Sequence, residues 1–547
     1  MSEILRYFPL TKPPRKGQVA SMNFIEEMFV QGVQDVVIEA PTGAGKSAIG
    51  AAVCRWASTW PSMVSPSGTV TKAGGYYLVT QKVLQDQITH DVRDNFTDKD
   101  FASLKSSEAY LCDTHGNCQI GLQSKKERCC EGKKEGTCPY LLTKMRFERA
   151  VFSVTNYPYF LTERMYVNQF PVRNTLICDE CHTIERQLLR FGELVISQEK
   201  LREWNIRGAD VPEFDDMRHY LAWLEKKYLL VIKERAATLQ LMLESDPKAC
   251  QDPKVQSMVT ALQNQIQKVE LAVSGASTHP EDWVYWTEET EKDGRIVYLK
   301  PLVAAPYMDL VRSGGMYRVY MSAYPGDKQI YCRSLGLDPK EVAWIKLKSP
   351  FAPENRPIIM SLVGSMSKRN KAQTLPVVLK TIDRVLTAHA GEKGVIHCNS
   401  YALGTEIYDH FAKTVHGVRL RFPRCADERE AQMAAHALDT NPSVLISPSM
   451  TEGFDFKADL ARWQIVTKMP YPYLGDQQVA AMKERNPDWY ALQTASTIIQ
   501  ACGRIVRDET DHGVTYILDS DFSMLWDRHS HFFPPWFKAA MVWPARK

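Results

Sequence analysis

The chain has 547 residues, 44% of them hydrophobic and 24% charged, with a net charge of +3. That length exceeds what one hydrophobic core can organise, and it predicts three or four domains of ordinary globular composition. No run approaches the ~18 consecutive apolar residues of a membrane helix, and Met1–Leu10 lacks the basic-then-apolar pattern of a secretory leader, so a soluble intracellular protein is expected. The near-balanced charge does not decide for or against a nucleic-acid partner, because a local basic groove can sit inside a balanced total.

Asp35–Ala40 reads as an apolar strand, and strand and helix patterns alternate from there to Lys200, with further strands at Tyr76–Thr80 and Thr175–Asp179. Such alternation predicts βαβ units and a parallel sheet. Phe101–Cys138 interrupts it, rich in Cys, Lys, Glu and Gly and poor in aliphatics. From about Gln198 to Gly275 the composition turns helical, in stretches such as Met217–Leu243 and Val255–Val273, which predicts a helical insertion. Trp283–Trp286 and Arg295–Leu299 flank the turn dipeptide Asp293-Gly294 and predict a hairpin that closes it. Strand patterns then resume at Arg318–Ala323, Gly394–Cys398, Ser443–Ser447, Trp463–Lys468 and Val514–Leu518. The expected fold class is α/β, with two parallel-sheet domains and the insertions in the first.

Ala40-Pro41-Thr42-Gly43-Ala44-Gly45-Lys46-Ser47 follows the first strand directly and opens a helix of small residues. This is the P-loop pattern, with Ala in place of its first Gly. Glycines let backbone N–H groups converge on phosphate oxygens, and the helix N-terminus adds positive potential. Thr42, Gly43, Gly45, Lys46 and Ser47 are therefore expected to bind ATP, Lys46 reaching the β- and γ-phosphates and Ser47 ligating Mg²⁺. Thr175–Asp179 delivers Asp179 and Glu180 to the carboxyl edge of the sheet, where open α/β sheets bind ligands. Asp179 is expected to hold Mg²⁺ and Glu180 to polarise the attacking water. Cys181 and His182 have no matching pair of ligands nearby, and His182 is read as a coupling residue.

Asp179-Glu180-Cys181-His182 resembles the DECH/DEAH box of superfamily 2 helicases, and other segments resemble that family in order. Arg15–Gln18 resembles a Q-motif, Thr80-Gln81 motif Ia, and Ser322-Ala323-Tyr324 the coupling motif, with Tyr324 where helicases carry Thr. Phe351–Arg356, His397–Ser400, Thr451–Asp455 and Pro470–Pro472 resemble elements of the XPD/DinG branch, and Gln500–Arg507 is similar to its Q-x-x-G-R-x-x-R motif. The resemblance runs from Arg15 to Asp519. It implies two RecA-like motor domains, Gln18 reading adenine, Asp455 contributing to the nucleotide site, and Gln500, Arg504 and Arg507 completing it across a cleft. It also implies a monomer, cytoplasmic or nucleoid-associated, that binds single-stranded and forked DNA and unwinds it 5′ to 3′. Helicases on RNA or DNA–RNA hybrids, and a translocase that does not unwind, stay open as alternatives; Gln500–Arg507 disfavours a one-domain ATP switch.

Five of the 13 cysteines, Cys112, Cys118, Cys129, Cys130 and Cys138, crowd the aliphatic-poor segment. A segment without core-forming residues needs another ordering device, and four thiolates around an iron–sulfur cluster or a zinc ion supply one. The paired C-x₂-C knuckles of zinc ribbons are absent. The XPD/DinG branch carries a 4Fe–4S domain between P-loop and acidic box, its last cysteine in a Cys-Pro-Tyr context, and Cys138-Pro139-Tyr140 resembles that context. The third ligand is Cys129 or Cys130.

The expected map is motor domain 1 at 1–104, 141–190 and 301–345, a cluster domain at 105–140, a helical Arch-like insertion at 191–300, and motor domain 2 at 346–547. Candidates for a single-strand path are Lys125, Lys126, Arg128, Lys133 and Lys134, with Tyr157, Tyr471 and Tyr473 for stacking. The aromatic tail Trp526–Trp543 is expected to pack as core.

Overall fold

The structure is a computed structural model that describes all residues except 1, 10–12, 42, 66–67, 93–94, 98–99, 112–135, 207–210, 247–248, 250–251, 449–457, 507–509 and 545–547. Strands β1 (Asp35–Glu39), β2 (Lys72–Val79), β3 (Phe101–Ser103), β4 (Phe152–Asn156) and β5 (Arg173–Asp179) come first. They are followed by β6 (Leu194–Ser197), β7 (Trp283–Thr290), β8 (Gly294–Pro301), β9 (Gly315–Ser322) and β10 (Val342–Lys346). Seven of these form one sheet in the order β10-β1-β9-β5-β2-β4-β3, every neighbouring pair parallel. β1 and β4 are buried along their whole length, as parallel strands covered by helices on both faces must be.

A second parallel sheet follows, built from β11 (Ile358–Gly364), β12 (Gly394–His397), β13 (Leu420–Arg421), β14 (Val444–Ser447), β15 (Trp463–Val466), β16 (Val514–Asp519) and β17 (Met541–Val542). Its order is β13-β14-β12-β15-β16-β11-β17. The expected strands fall on this framework. The short β3, β10, β13 and β17, together with β4 and β11, are additions to it.

The insertion holds the helices Met217–Trp223, Leu229–Ser245 and Pro253–Thr278. It is not purely helical: β6, β8 and β7 form a small antiparallel sheet. The predicted hairpin is there, with Thr290 opposite Gly294 and Gly294 at φ 64°, a left-handed turn conformation. Leu194, Tyr220, Tyr228, Leu262 and Trp283 belong to a hydrophobic core of its own.

The two sheet domains interlock through aromatic residues. Trp489 and Met482, from helices next to the second sheet, pack into the first domain's core. Tyr324, just beyond β9, packs into the second domain's core and donates a hydrogen bond to the Phe532 carbonyl. In the tail, Phe522, Phe532, Phe533 and Phe537 are buried in that same core, as expected of an aromatic end.

Close packing in the second sheet is tightest where β12 meets β15. A Cβ on Gly394 would lie 2.0 Å from the buried Trp463 ring. Gly394→Ala therefore overpacks this layer, and we expect a loss of about 1–3 kcal/mol in stability, read as a lowered denaturant midpoint at unchanged slope.

Candidate functional site

β1 ends in a loop whose Gly43 and Gly45 adopt φ 80° and 75°, a left-handed backbone open to glycine at little cost. Gly45 caps the helix Lys46–Ala57. A Cβ on Gly45 would meet the Gln18 amide at 2.3 Å, so the loop closes directly against the preceding segment. The Gln18 amide donates to the Gly45 carbonyl at 3.2 Å and accepts from the Arg15 N–H at 2.8 Å, while the Arg15 guanidinium donates to the Gly43 carbonyl at 2.7 Å. Gln18 and Arg15 thus brace the loop's backbone. The helix lies on β2 through Gly50, where a Cβ would sit 2.5 Å from the Tyr77 ring.

Lys46 and Glu180 meet at 3.8 Å, nitrogen to oxygen. The Asp179 carboxylate accepts from the Tyr77 hydroxyl at 2.8 Å and from the Glu180 N–H at 2.9 Å. Burial pushes the Asp179 carboxyl up to about 6, the Glu180 charge beside it adds to this, and Lys46 and the two donors oppose it. Two adjacent carboxylates that repel, next to a lysine and the hydroxyl-bearing Ser47, are a donor set suited to Mg²⁺ and a phosphate. Glu180 itself is held at φ 47°, which is rare for a non-glycine residue and aims its side chain back toward Lys46 and His182.

His182 joins the acidic box to the end of β9. Its Nδ1 lies 2.9 Å from the Ser322 Oγ and 3.3 Å from the Glu180 carboxylate. Ser322 also accepts from the Tyr324 N–H at 3.3 Å. Cys181 is buried against Tyr331 in the core, a place that suits a structural thiol.

In the second domain, Gln500 closes the helix Pro487–Cys502 and Arg504 follows it. The Ala501 carbonyl accepts from Gln464, whose side chain also meets the Thr515 hydroxyl at 2.8 Å and the His397 Nε2 at 3.1 Å. A buried polar chain therefore runs from His397 through Gln464 to the turn that carries Arg504.

Thr42, Cys112, Cys118, Cys129, Cys130, Asp455 and Arg507 lie outside the described residues, as do Lys125, Lys126, Arg128, Lys133 and Lys134. Cys138 is described: it is buried and caps the helix Pro139–Arg149. Tyr157 corrects the stacking expectation. It is fully buried and donates to the Asp179 carbonyl at 2.8 Å, so it supports the acidic box and offers no face to a base. Tyr471 is half-buried and stacked on Tyr490 at 5.6 Å, whereas Tyr473 is 80% exposed. The sequence reading missed Glu185, three residues beyond His182, which accepts from Trp489 and Gln493 of the second domain. Its partners lie 304 and 308 residues away, and nothing local marks it.

Comparison with known proteins bears on the fold and on the second domain. Residues 383–540 match the family model of the helicase C-terminal domain. A solved XPD helicase superposes with a TM-score of 0.59 at 15% identity, covering 98% of this chain and 100% of that one. The structure of Xpd4 from S. tokodaii does so with a TM-score of 0.57 at 12% identity, covering 97% of this chain and 100% of that one. Among curated relatives, a probable ATP-dependent helicase of Methanocaldococcus jannaschii is 22% identical over 38% of this chain, and the match spans 35% of that protein. A regulator of telomere elongation helicase 1 homologue of Aedes aegypti is 30% identical over 13% of this chain and 8% of its own length. In fold the chain is similar to the solved XPD helicases, and its residues 383–540 are similar to the helicase C-terminal domain. Among the described residues no helix is long and apolar enough to cross a membrane.

The polar chain at His397 has a consequence for acid stability. Burial, with Arg504 adding to it, depresses the His397 pKa from 6.5 to about 4, against the hydrogen bond to the Gln464 amide oxygen. The folded state therefore favours neutral imidazole. Above pH 6.5 the group costs nothing; as pH falls toward 4 the unfolded chain takes up a proton that the folded one refuses. We expect up to about 3 kcal/mol to be lost across that window, and His397→Gln to flatten it, measured by denaturation at stepped pH.

Proposed function

We propose that this protein is an ATP-dependent DNA helicase that translocates on single-stranded DNA 5′ to 3′ and unwinds forked duplexes, as a monomer in the cytoplasm or at the nucleoid. The observation that carries the reading is the placement of His182. One ring nitrogen faces both Glu180 of the acidic box and Ser322, two residues before Tyr324, which enters the second domain. The state of the nucleotide's acidic partner is thereby linked to the junction between motors, which is what a hydrolysis-driven ratchet requires.

In this reading the glycines of the P-loop and the N-terminus of the Lys46–Ala57 helix hold the phosphates, and Lys46 neutralises their charge. Ser47 and Asp179 would hold Mg²⁺, which supplies charge neutralisation on the phosphate oxygens. Tyr77 and Tyr157 fix Asp179 from side chain and main chain. Glu180 orients water, and Arg504 and Arg507 bring positive charge from the second motor. Asp455 and Gln500 complete the nucleotide pocket, and Gln18, which braces the P-loop through Gly45, is the candidate for reading adenine. Tyr473, exposed, is the stacking candidate for single-stranded DNA.

A 4Fe–4S cluster held by Cys138 and three of Cys112, Cys118, Cys129 and Cys130 belongs to the same reading. Cys138 suits a ligand thiolate, since it sits at a helix N-terminus whose peptide dipoles favour negative charge. Burial beside Tyr140 and Tyr110 shields that site from bulk water. The cluster would order the aliphatic-poor segment at the point where strands part.

Lys46→Ala tests the motor. It should abolish ATP hydrolysis and unwinding of forked duplexes while leaving single-strand binding intact, in paired hydrolysis, strand-displacement and anisotropy assays. Hydrolysis by the variant sinks the P-loop role, and unwinding of only 3′-tailed substrates sinks the polarity. Anaerobically purified protein should absorb broadly near ~400 nm, with about four irons and four sulfides per chain. A colourless protein with about one zinc instead makes the site structural and moves a non-unwinding translocase ahead.

A further inference from the structure

The helix Ile184–Gly192 starts immediately after the acidic box and carries Glu185 in its first turn. The Glu185 Oε2 accepts from the Trp489 indole N–H at 2.9 Å and from the Gln493 amide at 3.4 Å. Both donors lie on the helix Pro487–Cys502 of the second motor, one turn apart, and Gln500 occupies that helix's last turn. Trp489 is 9% exposed and anchored among residues of the first motor's core. Its backbone N–H donates to the Asn486 side chain at 3.1 Å, which caps the helix and fixes the main chain from which the indole reaches Glu185.

We propose that Glu185 is a positioning residue that couples the acidic box of the first motor to the Gln500–Arg504 turn of the second, through Trp489, Gln493 and the rigid helix between them. This rests on the ATPase reading above. A helix of 16 residues is a rod of roughly 24 Å, so a shift at its first turn reaches its last turn undiminished. Glu185 sits five residues from Glu180 along the chain, close enough for any rearrangement of the acidic box on nucleotide binding to move it. Burial pushes its carboxyl up to about 7, against the donors from Trp489 and Ser334. Trp489 and Gln493 share the one Oε2 acceptor, so losing that oxygen leaves both donors of the second motor without it.

The prediction separates coupling from simple packing. Glu185→Ala should bind ATP with unchanged affinity and hydrolyse it at the unstimulated rate of the native enzyme. Its stimulation by single-stranded DNA should fall by about fivefold or more. Glu185→Gln keeps an acceptor oxygen and should restore most of it. Trp489→Phe keeps the ring and removes the N–H, so it should reproduce the loss, and the double variant should be no worse than either single one. Full stimulation in both single variants, or losses that multiply in the double variant, overturns the coupling. Should Glu185→Ala fail to fold, Trp489→Phe decides alone. A native protein that hydrolyses no ATP overturns the parent reading and this one with it; a stimulated native enzyme with equally stimulated variants overturns only this one.

Discussion

β1, β9 and β5 lie side by side in parallel, with Glu39 beside Ser322 and Asp179 beside Met321. Strands so paired are ~4.8 Å apart, and parallel direction sends all three chains out of the same edge. The P-loop, the acidic pair and Ser322-Ala323-Tyr324 are therefore neighbours before any side chain is considered. Everything else in the site refines that placement: the left-handed glycines turn the loop back, Gly50 lets its helix settle on Tyr77, and the strained Glu180 backbone points one carboxylate toward both Lys46 and His182.

The same edge also determines how the two sheet domains meet. The chain leaving β9 has to cross to the second sheet, and it does so with Tyr324 buried in the far core. Trp489 makes the reverse crossing into the near core. Burying a large aromatic residue is worth roughly 1.5–3 kcal/mol, so two reciprocal plugs hold the domains in contact without welding them. Tyr324 takes the place where the family resemblance led one to expect Thr. A threonine would bond locally and stop there; the longer phenol reaches the Phe532 carbonyl of the other domain. The substitution changes the reach of the motif while keeping its location.

The legible parts of this molecule were those whose chemistry is local. The P-loop and acidic box declare themselves because each needs fixed residue types at fixed spacing beside a strand, and the hairpin at Asp293-Gly294 because a turn dipeptide demands it. β4 escaped notice because Phe152–Asn156 mixes polar and apolar residues and owes its strand state to neighbours in the sheet, whereas the apolar run Ile358–Gly364 carried a legible strand pattern that was passed over. Tyr157 misled for a related reason. A tyrosine after Thr155-Asn156 can face solvent or core, and only the packing of Phe160 and Leu176 around it turns it inward. Glu185 was invisible because its meaning comes from donors more than 300 residues downstream.

The insertion adds a third contact to this mechanical arrangement. The Gln478 amide donates to the Pro301 carbonyl at 2.6 Å, Lys300 lies 3.3 Å from Asp476, and Arg485 lies 2.6 Å from Asp282. All three fasten the base of the β7–β8 hairpin to the helix Gln477–Arg485 and its N-cap, directly before the helix that carries Trp489 and Gln500. Of these the Arg485–Asp282 pair is the more exposed, and such a pair contributes at most about 1 kcal/mol. The insertion has a hydrophobic core of its own, with Leu271 packed against the core of the first domain. The helix that follows the acidic pair and the base of the insertion's hairpin therefore both contact one short stretch, 476–502, through Glu185 on one side and Pro301, Lys300 and Asp282 on the other.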